Sequence, residues 1–217
     1  MTKLEKMSDF FAIRIADYDT HMIENVEGCK EGYEKMASLV PPNAKTLLDL
    51  GCGTGLELDY IFARFPSLAV TGIDLTKEML DRLSQKHPEK QLNLILGDYF
   101  QTDFGKKTFD CAVSFESLHH FEKAQKLGLY KRLWQSLSDG GCYLECDYMV
   151  QSQEEEDFFF SENKRLREEN GLSMDGYYHY DTPCTIKNQE NLLCQAGFSR
   201  VEMLFRQGGT TLLMAWK

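Results

Sequence analysis

From residue 46 onward, short runs of apolar and β-branched residues alternate with longer stretches whose apolar positions recur every three to four residues. Short continuous apolar runs mark strands buried on both faces. Their alternation with amphipathic helices predicts an α/β fold around a mostly parallel sheet. Strands are expected over Thr46 to Gly51, Ala69 to Asp74, Leu92 to Gly97, Phe109 to Phe115 and Cys142 to Asp147. Helices are expected over Leu56 to Phe65, Lys77 to Lys86 and Ala124 to Leu137, with Thr76 available to cap the second. "SDGG" after Leu137 reads as a helix stop and turn before the fifth strand. The last two runs, Val201 to Phe205 and Thr210 to Trp216, are separated only by "RQGG". A parallel crossover needs a dozen residues or more, so these two are expected to pair antiparallel as a hairpin.

Two segments lie outside the alternation. The first 40 residues read as helices that end at "VPPNAK", where Pro41 and Pro42 forbid continuation. The second segment, Gln151 to Pro183, opens with a capping box in Ser152 and Glu155, has acids in its first turn and meets a terminator at Gly171. That is a helix, followed by the aromatic loop "MDGYYHYDTP". The Phe158 to Phe160 run on this helix is expected to pack. With 217 residues and 42% hydrophobic content, one domain suffices: a helical cap (1–43), a core (44–150), a helical and aromatic insert (151–183), and a closing helix with hairpin (184–217).

Composition narrows the function classes. No run of about 18 apolar residues occurs, and "MTKLEKMSDFF" lacks the apolar stretch of a signal peptide, so a soluble cytoplasmic chain with no membrane contact is expected. The seven cysteines form no C-x-x-C and no Cys/His cluster at zinc spacing, which predicts reduced thiols and no metal site. A net charge of −10 disfavours nucleic acid. The basic cluster Lys164, Arg165 and Arg167 is interleaved with Glu162, Glu168 and Glu169 and reads as a solvated helix face.

The chemistry gathers at "TLLDLGCGTGLEL". Glycines after a buried strand allow a sharp turn and a close approach of ligand to backbone. The spacing of Gly51, Gly53 and Gly55 is G-x-G-x-G, whereas the dinucleotide fingerprint is G-x-G-x-x-G. Asp49 stands just before the loop, where a carboxylate would repel a pyrophosphate and attract an ammonium group. Asp74 ends the second strand, where an acid accepts hydrogen bonds from ribose hydroxyls. Asp98, ending "LILGD", suits an adenine amino group, with Tyr99 and Phe100 as stacking neighbours. An amino acid, a ribose and an adenine together describe S-adenosylmethionine.

Through "LLDLGCGTG", "GIDLTKEML", "ILGDYF", "FDCAVSFESLHHF" and "LSDGGCYLECD", the chain resembles the class I S-adenosylmethionine-dependent methyltransferases from about Thr46 to Asp147. The resemblance implies a three-layer Rossmann-like fold with seven strands in the order 3-2-1-4-5-7-6 and strand 7 antiparallel. It also implies S-adenosylmethionine as cofactor and S-adenosylhomocysteine as product. By position, Asp49, Gly51 and Gly53 would border the methionine moiety, Asp74 and Leu75 the ribose, Asp98 and Tyr99 the adenine, and Phe115 the start of the loop facing the sulfonium, with Met79 also in the cofactor-binding set. Tyr18, in "ADYDTHM", matches a tyrosine that closes over the cofactor in related small-molecule members.

His119, His120 and Glu116 follow the fourth strand and are the candidates for a general base, with bracing of the loop as the alternative for the histidines. Tyr177, Tyr178, His179 and Tyr180 either pack as a lid or line a substrate pocket. No "PPY"-type motif or "PC" pair follows the fourth strand, which with the acidic charge points to a small-molecule acceptor whose O, N, S or C atom is methylated. The acceptor and the oligomeric state stay open. Three rivals remain. A NAD-linked oxidoreductase is disfavoured by the glycine spacing. The layout also distantly resembles carboxy-S-adenosylmethionine synthases, whose extra carboxylate is read by an arginine. The third rival is a non-catalytic cofactor-binding protein.

Overall fold

The computed structural model describes residues 3–173 and 175–217; Met174, in the aromatic loop, lies outside the described residues. Seven strands form one sheet: β1 (Thr46–Leu50), β2 (Ala69–Asp74), β3 (Leu92–Leu96), β4 (Phe109–Phe115), β5 (Leu137–Tyr148), β6 (Arg200–Gln207) and β7 (Thr210–Trp216). Their order is β3-β2-β1-β4-β5-β7-β6, and only the pairings of β7 are antiparallel. The hairpin argument therefore holds, with Gly208 and Gly209 as the whole link.

Successive residues of the central strands enter opposite cores. Leu47, Cys111, Val113 and Leu144 face one apolar cluster, and Leu48, Ala112 and Tyr143 the other. The first cluster is covered by α3 (Cys29–Leu39), α4 (Leu56–Arg64) and α5 (Lys77–Lys86). The second is covered by α6 (Lys123–Ser136) and α8 (Ile186–Ala196). Each fully buried Leu contributes roughly 1.5–3 kcal/mol, so this two-sided burial holds the strand ends that carry the site. Two short helices, α1 (Met7–Arg14) and α2 (Tyr18–Glu24), precede α3, and α7 (Gln153–Glu169) forms the insert. Among the described residues no helix is long and apolar enough to cross a membrane.

Four expectations are corrected. "SDGG" is no turn before β5 but part of it: the register jumps from Phe109–Leu137 to Cys111–Cys142, and Gly140 takes a φ of 77° in the resulting bulge. The Thr76 side chain makes no cap; its backbone N–H donates to Asp74 Oδ1 instead (2.8 Å). Phe158 is exposed, so only part of the Phe158 to Phe160 run packs. Arg167 is buried: its Nε donates to Asn163 and its Nη1 to the Ser173 and Gly176 carbonyls, which ties the aromatic loop to α7. The Ser152 and Glu155 capping box forms as read.

Candidate functional site

The glycine loop leaves the end of β1 and is fixed by its neighbours. Gly51 N–H donates to the Ile73 carbonyl of β2 (2.8 Å), and Asp74 Oδ2 accepts from Gly53 N–H (3.0 Å). Gly51 and Gly53 have φ of 74° and 47°, which an L side chain adopts at a cost of about 1–2 kcal/mol. A Cβ on Gly51 would lie 2.2 Å from Ser117 Oγ, whereas one on Gly53 would meet nothing nearer than 3.9 Å, beneath the Tyr18 ring. Tyr18 is brought there by its neighbour: Thr54 Oγ1 donates to Asp19 Oδ1 (2.6 Å), and Asp19 also pairs with Arg82 (3.2 Å).

Tyr18, Gly51, Gly53, Asp74, Leu75, Met79, Tyr99 and Phe115 line one narrow cleft of about 50 Å³. Ser117 and Thr76 line it too, and Met7 and Phe11 of α1 close its outer side. Two expected residues do not line it. Asp49 is wholly buried, its oxygens have no hydrogen bond of ordinary geometry, and burial together with the neighbouring Glu57 raises its pKa well above the usual carboxylate range. Asp98 is turned to its own loop and the insert, accepting from Phe100 N–H (2.7 Å) and from the Tyr177 hydroxyl (2.9 Å).

Beyond Tyr18, Phe11, Glu116 and His120, the cleft adjoins a second cavity of about 750 Å³. Its walls come from α1, α2, the loop after β4, the end of β5 and the aromatic loop. Glu116 has a φ of 46°, a strained conformation for a non-glycine residue, and is locked by its N–H to the Cys146 carbonyl (2.8 Å). His119 Nδ1 donates to Asp147 Oδ1 at 2.5 Å; a carboxylate can only accept, so the proton sits on Nδ1. Burial alone would lower the His119 pKa, but Asp147, then Glu116 and Asp181, raise it to about 9. His120 is lowered by burial and by the neighbouring His119. Burial pushes Glu116 up to about 8 despite His119. Opposed shifts packed this closely single the cluster out as a candidate functional site.

The three catalytic candidates, His119, His120 and Glu116, are thus brought together. Sequence reading missed Asp147 and Asp181. The signals were present: Asp147 ends "LECD", and Asp181 follows the singled-out aromatic run. His179 lines the cavity and stacks on Phe10 with ring centroids 3.5 Å apart. Tyr177 packs over Phe100 and Phe121, beside the loop after β3, while His179 and Asp181 of the same aromatic loop line the cavity.

Residues 47–141 match the model of a methyltransferase domain. A carboxy-S-adenosyl-L-methionine synthase of Campylobacter curvus is 23% identical over 198 residues, covering 85% of this chain and 82% of that one. The biotin biosynthesis bifunctional protein BioHC of Teredinibacter turnerae is 32% identical over 108 residues, 46% of this chain and only 19% of that protein. Among solved structures, the apo form of the S-adenosylmethionine-dependent methyltransferase SibL superimposes with a TM-score of 0.66 at 16% identity, covering 87% of this chain and 55% of that one.

Proposed function

We propose that the chain is a class I S-adenosylmethionine-dependent methyltransferase, a reading supported by the methyltransferase-domain match over residues 47–141, and that it methylates a small molecule seated in the 750 Å³ cavity. The observation that carries this reading is the junction, where Tyr18, Glu116 and His120 line both the glycine-loop cleft and the large cavity. Bound S-adenosylmethionine supplies a methyl group already activated by the sulfonium. What remains for the protein is alignment and exclusion of water.

The residues fit that cofactor. Gly53 leaves space beneath Tyr18 where any side chain would intrude, and Asp74, whose oxygens accept from Gly53 and Thr76, retains lone pairs for ribose hydroxyls. Asp49 lies behind the loop, buried with Glu57, and burial keeps it protonated until a cationic group approaches; such a group would favour its ionised form, whereas a phosphate would not. Asp98 serves the adenine once Tyr177 gives it up. On the acceptor side, His120 and Glu116 are placed to take a proton from an oxygen or carbon nucleophile, and Asp147 orients His119 beside them.

The long alignment with a carboxy-S-adenosyl-L-methionine synthase supports a second reading, in which the cofactor itself is modified. Among the described residues no arginine or lysine lines the cleft itself, and Arg14, in the wall of the adjoining cavity, is the candidate to hold an added carboxylate. The test is calorimetric titration with S-adenosylmethionine and S-adenosylhomocysteine, with Asp74→Ala as control, and mass spectrometry of any nucleoside that co-purifies. Micromolar binding of both, weakened in the variant, supports the proposal. A co-purified carboxylated nucleoside would replace it with the second reading, and failure to bind either would end it.

A further inference from the structure

The wall of the large cavity holds an arrangement that proton abstraction alone does not require. Asp181 Oδ1 lies 3.3 Å from His120 Nδ1 and 3.6 Å from His119 Nε2. Charge-assisted N–H···O⁻ hydrogen bonds close to about 2.7–2.9 Å, and these two contacts are longer. They match instead the edges of a coordination tetrahedron, which for metal–ligand bonds of about 2.0–2.2 Å are roughly 3.3–3.6 Å long. The ligand atoms of His119, His120 and Asp181 all lie within 4.8 Å of one another.

The other side of His119 supports the same conclusion. Its Nδ1–H is committed to Asp147, a buried carboxylate 2.5 Å away, so Nε2 is the nitrogen left to face Asp181. A carboxylate on the far nitrogen of a histidine is the usual outer partner of a metal ligand, since it fixes the ring and raises the donor strength of the free nitrogen. The main chain carries both loops to the same place: Thr182 N–H donates to the His119 carbonyl at 2.5 Å. A second grouping, Glu116 with His119 and Asp147, meets His119 on its Nδ1 side (3.4 Å to Glu116, 2.5 Å to Asp147), where the ring proton is already given to Asp147, and so serves as surround rather than site.

We infer that His119 Nε2, His120 Nδ1 and Asp181 bind one divalent transition-metal ion, of the zinc or ferrous class, whose open coordination positions face the large cavity. The ion would displace the proton that His120 Nδ1 directs at the Tyr180 carbonyl (3.3 Å), and Glu116 rather than His120 would then be the base. Two imidazoles and one carboxylate are the donors such ions prefer, while magnesium and calcium take all-oxygen sets. Three protein ligands leave room for an oxygen or sulfur donor of the acceptor, which narrows the acceptor to molecules able to coordinate. That last assignment rests on the methyl-transfer reading; the binding of the ion does not.

The test uses chelator-stripped full chain titrated with Zn²⁺ by calorimetry and with Co²⁺ by visible absorption, all in a Cys194→Ser background because that cysteine is exposed. One ion per chain is expected at micromolar affinity or better, with no uptake of Mg²⁺. His120→Ala and Asp181→Asn should each weaken binding at least tenfold. Asp147→Asn should weaken it about 10–100-fold and shift the cobalt spectrum. Circular dichroism of each variant identifies loss of folding. Absence of saturable uptake, or uptake that survives in folded His120→Ala and Asp181→Asn, overturns the inference. S-adenosylmethionine binding, measured separately, distinguishes the two proposals: cofactor binding without metal uptake defeats only the metal site, and metal uptake without cofactor binding defeats only the methyl-transfer reading.

Discussion

The two halves of the site are built in opposite ways. On the glycine-loop side, the ligand surface is backbone and strand ends: Gly51, Gly53, Asp74 and Leu75 sit at the tips of adjacent parallel strands, with hydrogen bonds between β1 and β2 setting their spacing. On the histidine side, the surface is side chains gathered from afar. His119 meets Asp147 across 28 residues of sequence, and His120 meets the Tyr180 carbonyl across 60. The first half follows from sheet topology, which places ligands at the carboxyl ends of strands. The second depends on where one insert and one cap happen to dock, and under the proposed function it is the half that meets the acceptor.

If the halves are separable, damage to one should leave the other intact. The largest effect is expected from His120→Ala, which should lower turnover about 10²–10⁴-fold, measured as S-adenosylhomocysteine release with an acceptor found by screening. Its affinity for S-adenosylmethionine should stay within a few-fold of wild type. A parallel loss of cofactor binding would erase the distinction, because His120 also lines the cleft. Asp74→Ala is the converse. Removing hydrogen bonds from a charged acceptor costs about 1.5–3 kcal/mol each, so loss of two ribose contacts predicts cofactor binding at least a hundredfold weaker. An affinity within threefold of wild type would remove Asp74 from the cofactor role.

That contrast explains what the sequence made legible. Strand order came only from the family resemblance, whereas the strands themselves, the hairpin and the glycine loop were readable because each rests on local rules: apolar run length, glycine spacing and a link too short for a crossover. Asp147 and Asp181 were not, although both letters were in view, since nothing local distinguishes an acid that meets a histidine from an ordinary strand-end or loop acid. Arg167 shows the same limit. Its neighbours alternate in charge as on a solvated face, yet its guanidinium is buried against carbonyls of a loop that sequence pattern alone does not position. Asp49 was expected to border the methionine moiety, yet it lies buried behind the loop and outside the cleft, beside Glu57 of the next helix, a neighbour that no local pattern announces.

The boundary between the halves can be probed at Tyr177. Residues 5–7 and 177–179 are joined through Met7 N–H to the Tyr177 carbonyl (3.2 Å), His179 N–H to the Glu5 carbonyl (3.0 Å) and a bridge between Lys6 and Tyr178. The insert is thereby tied to the cap, whose Met7 and Phe11 line the cleft, and the Tyr177 hydroxyl latches it to Asp98 of the core. Tyr177→Phe removes the latch, an interaction of about 0.5–1.5 kcal/mol net, so cofactor affinity should rise roughly two- to tenfold with little change in melting temperature. A weaker affinity would mean that the tyrosine belongs to the bound state and that the halves share more than a border.

The smallest expected effect tests whether the histidine half has a rigid frame. Glu156 of α7 accepts from Thr185 N–H (2.6 Å) and Asn188 Nδ2 (2.9 Å) and pairs with Lys123, so it fastens the insert to the starts of α6 and α8. Burial would raise its pKa, but Lys123 and these donors lower it to about 2 from an ordinary 4.5. A folded-state pKa below the unfolded one means that the carboxylate stabilises the fold fully above the unfolded value. That contribution declines as pH falls from about 5 and is gone once pH passes below about 2. Urea unfolding at a series of pH values should therefore find Glu156→Gln less stable than wild type at pH 7, with the two curves converging between pH 5 and pH 3. Curves that stay parallel over that range would show that Glu156 does not anchor the insert as a carboxylate. The loop carrying Asp181 would then have to owe its place to Arg167 and to the Thr182 contact with His119.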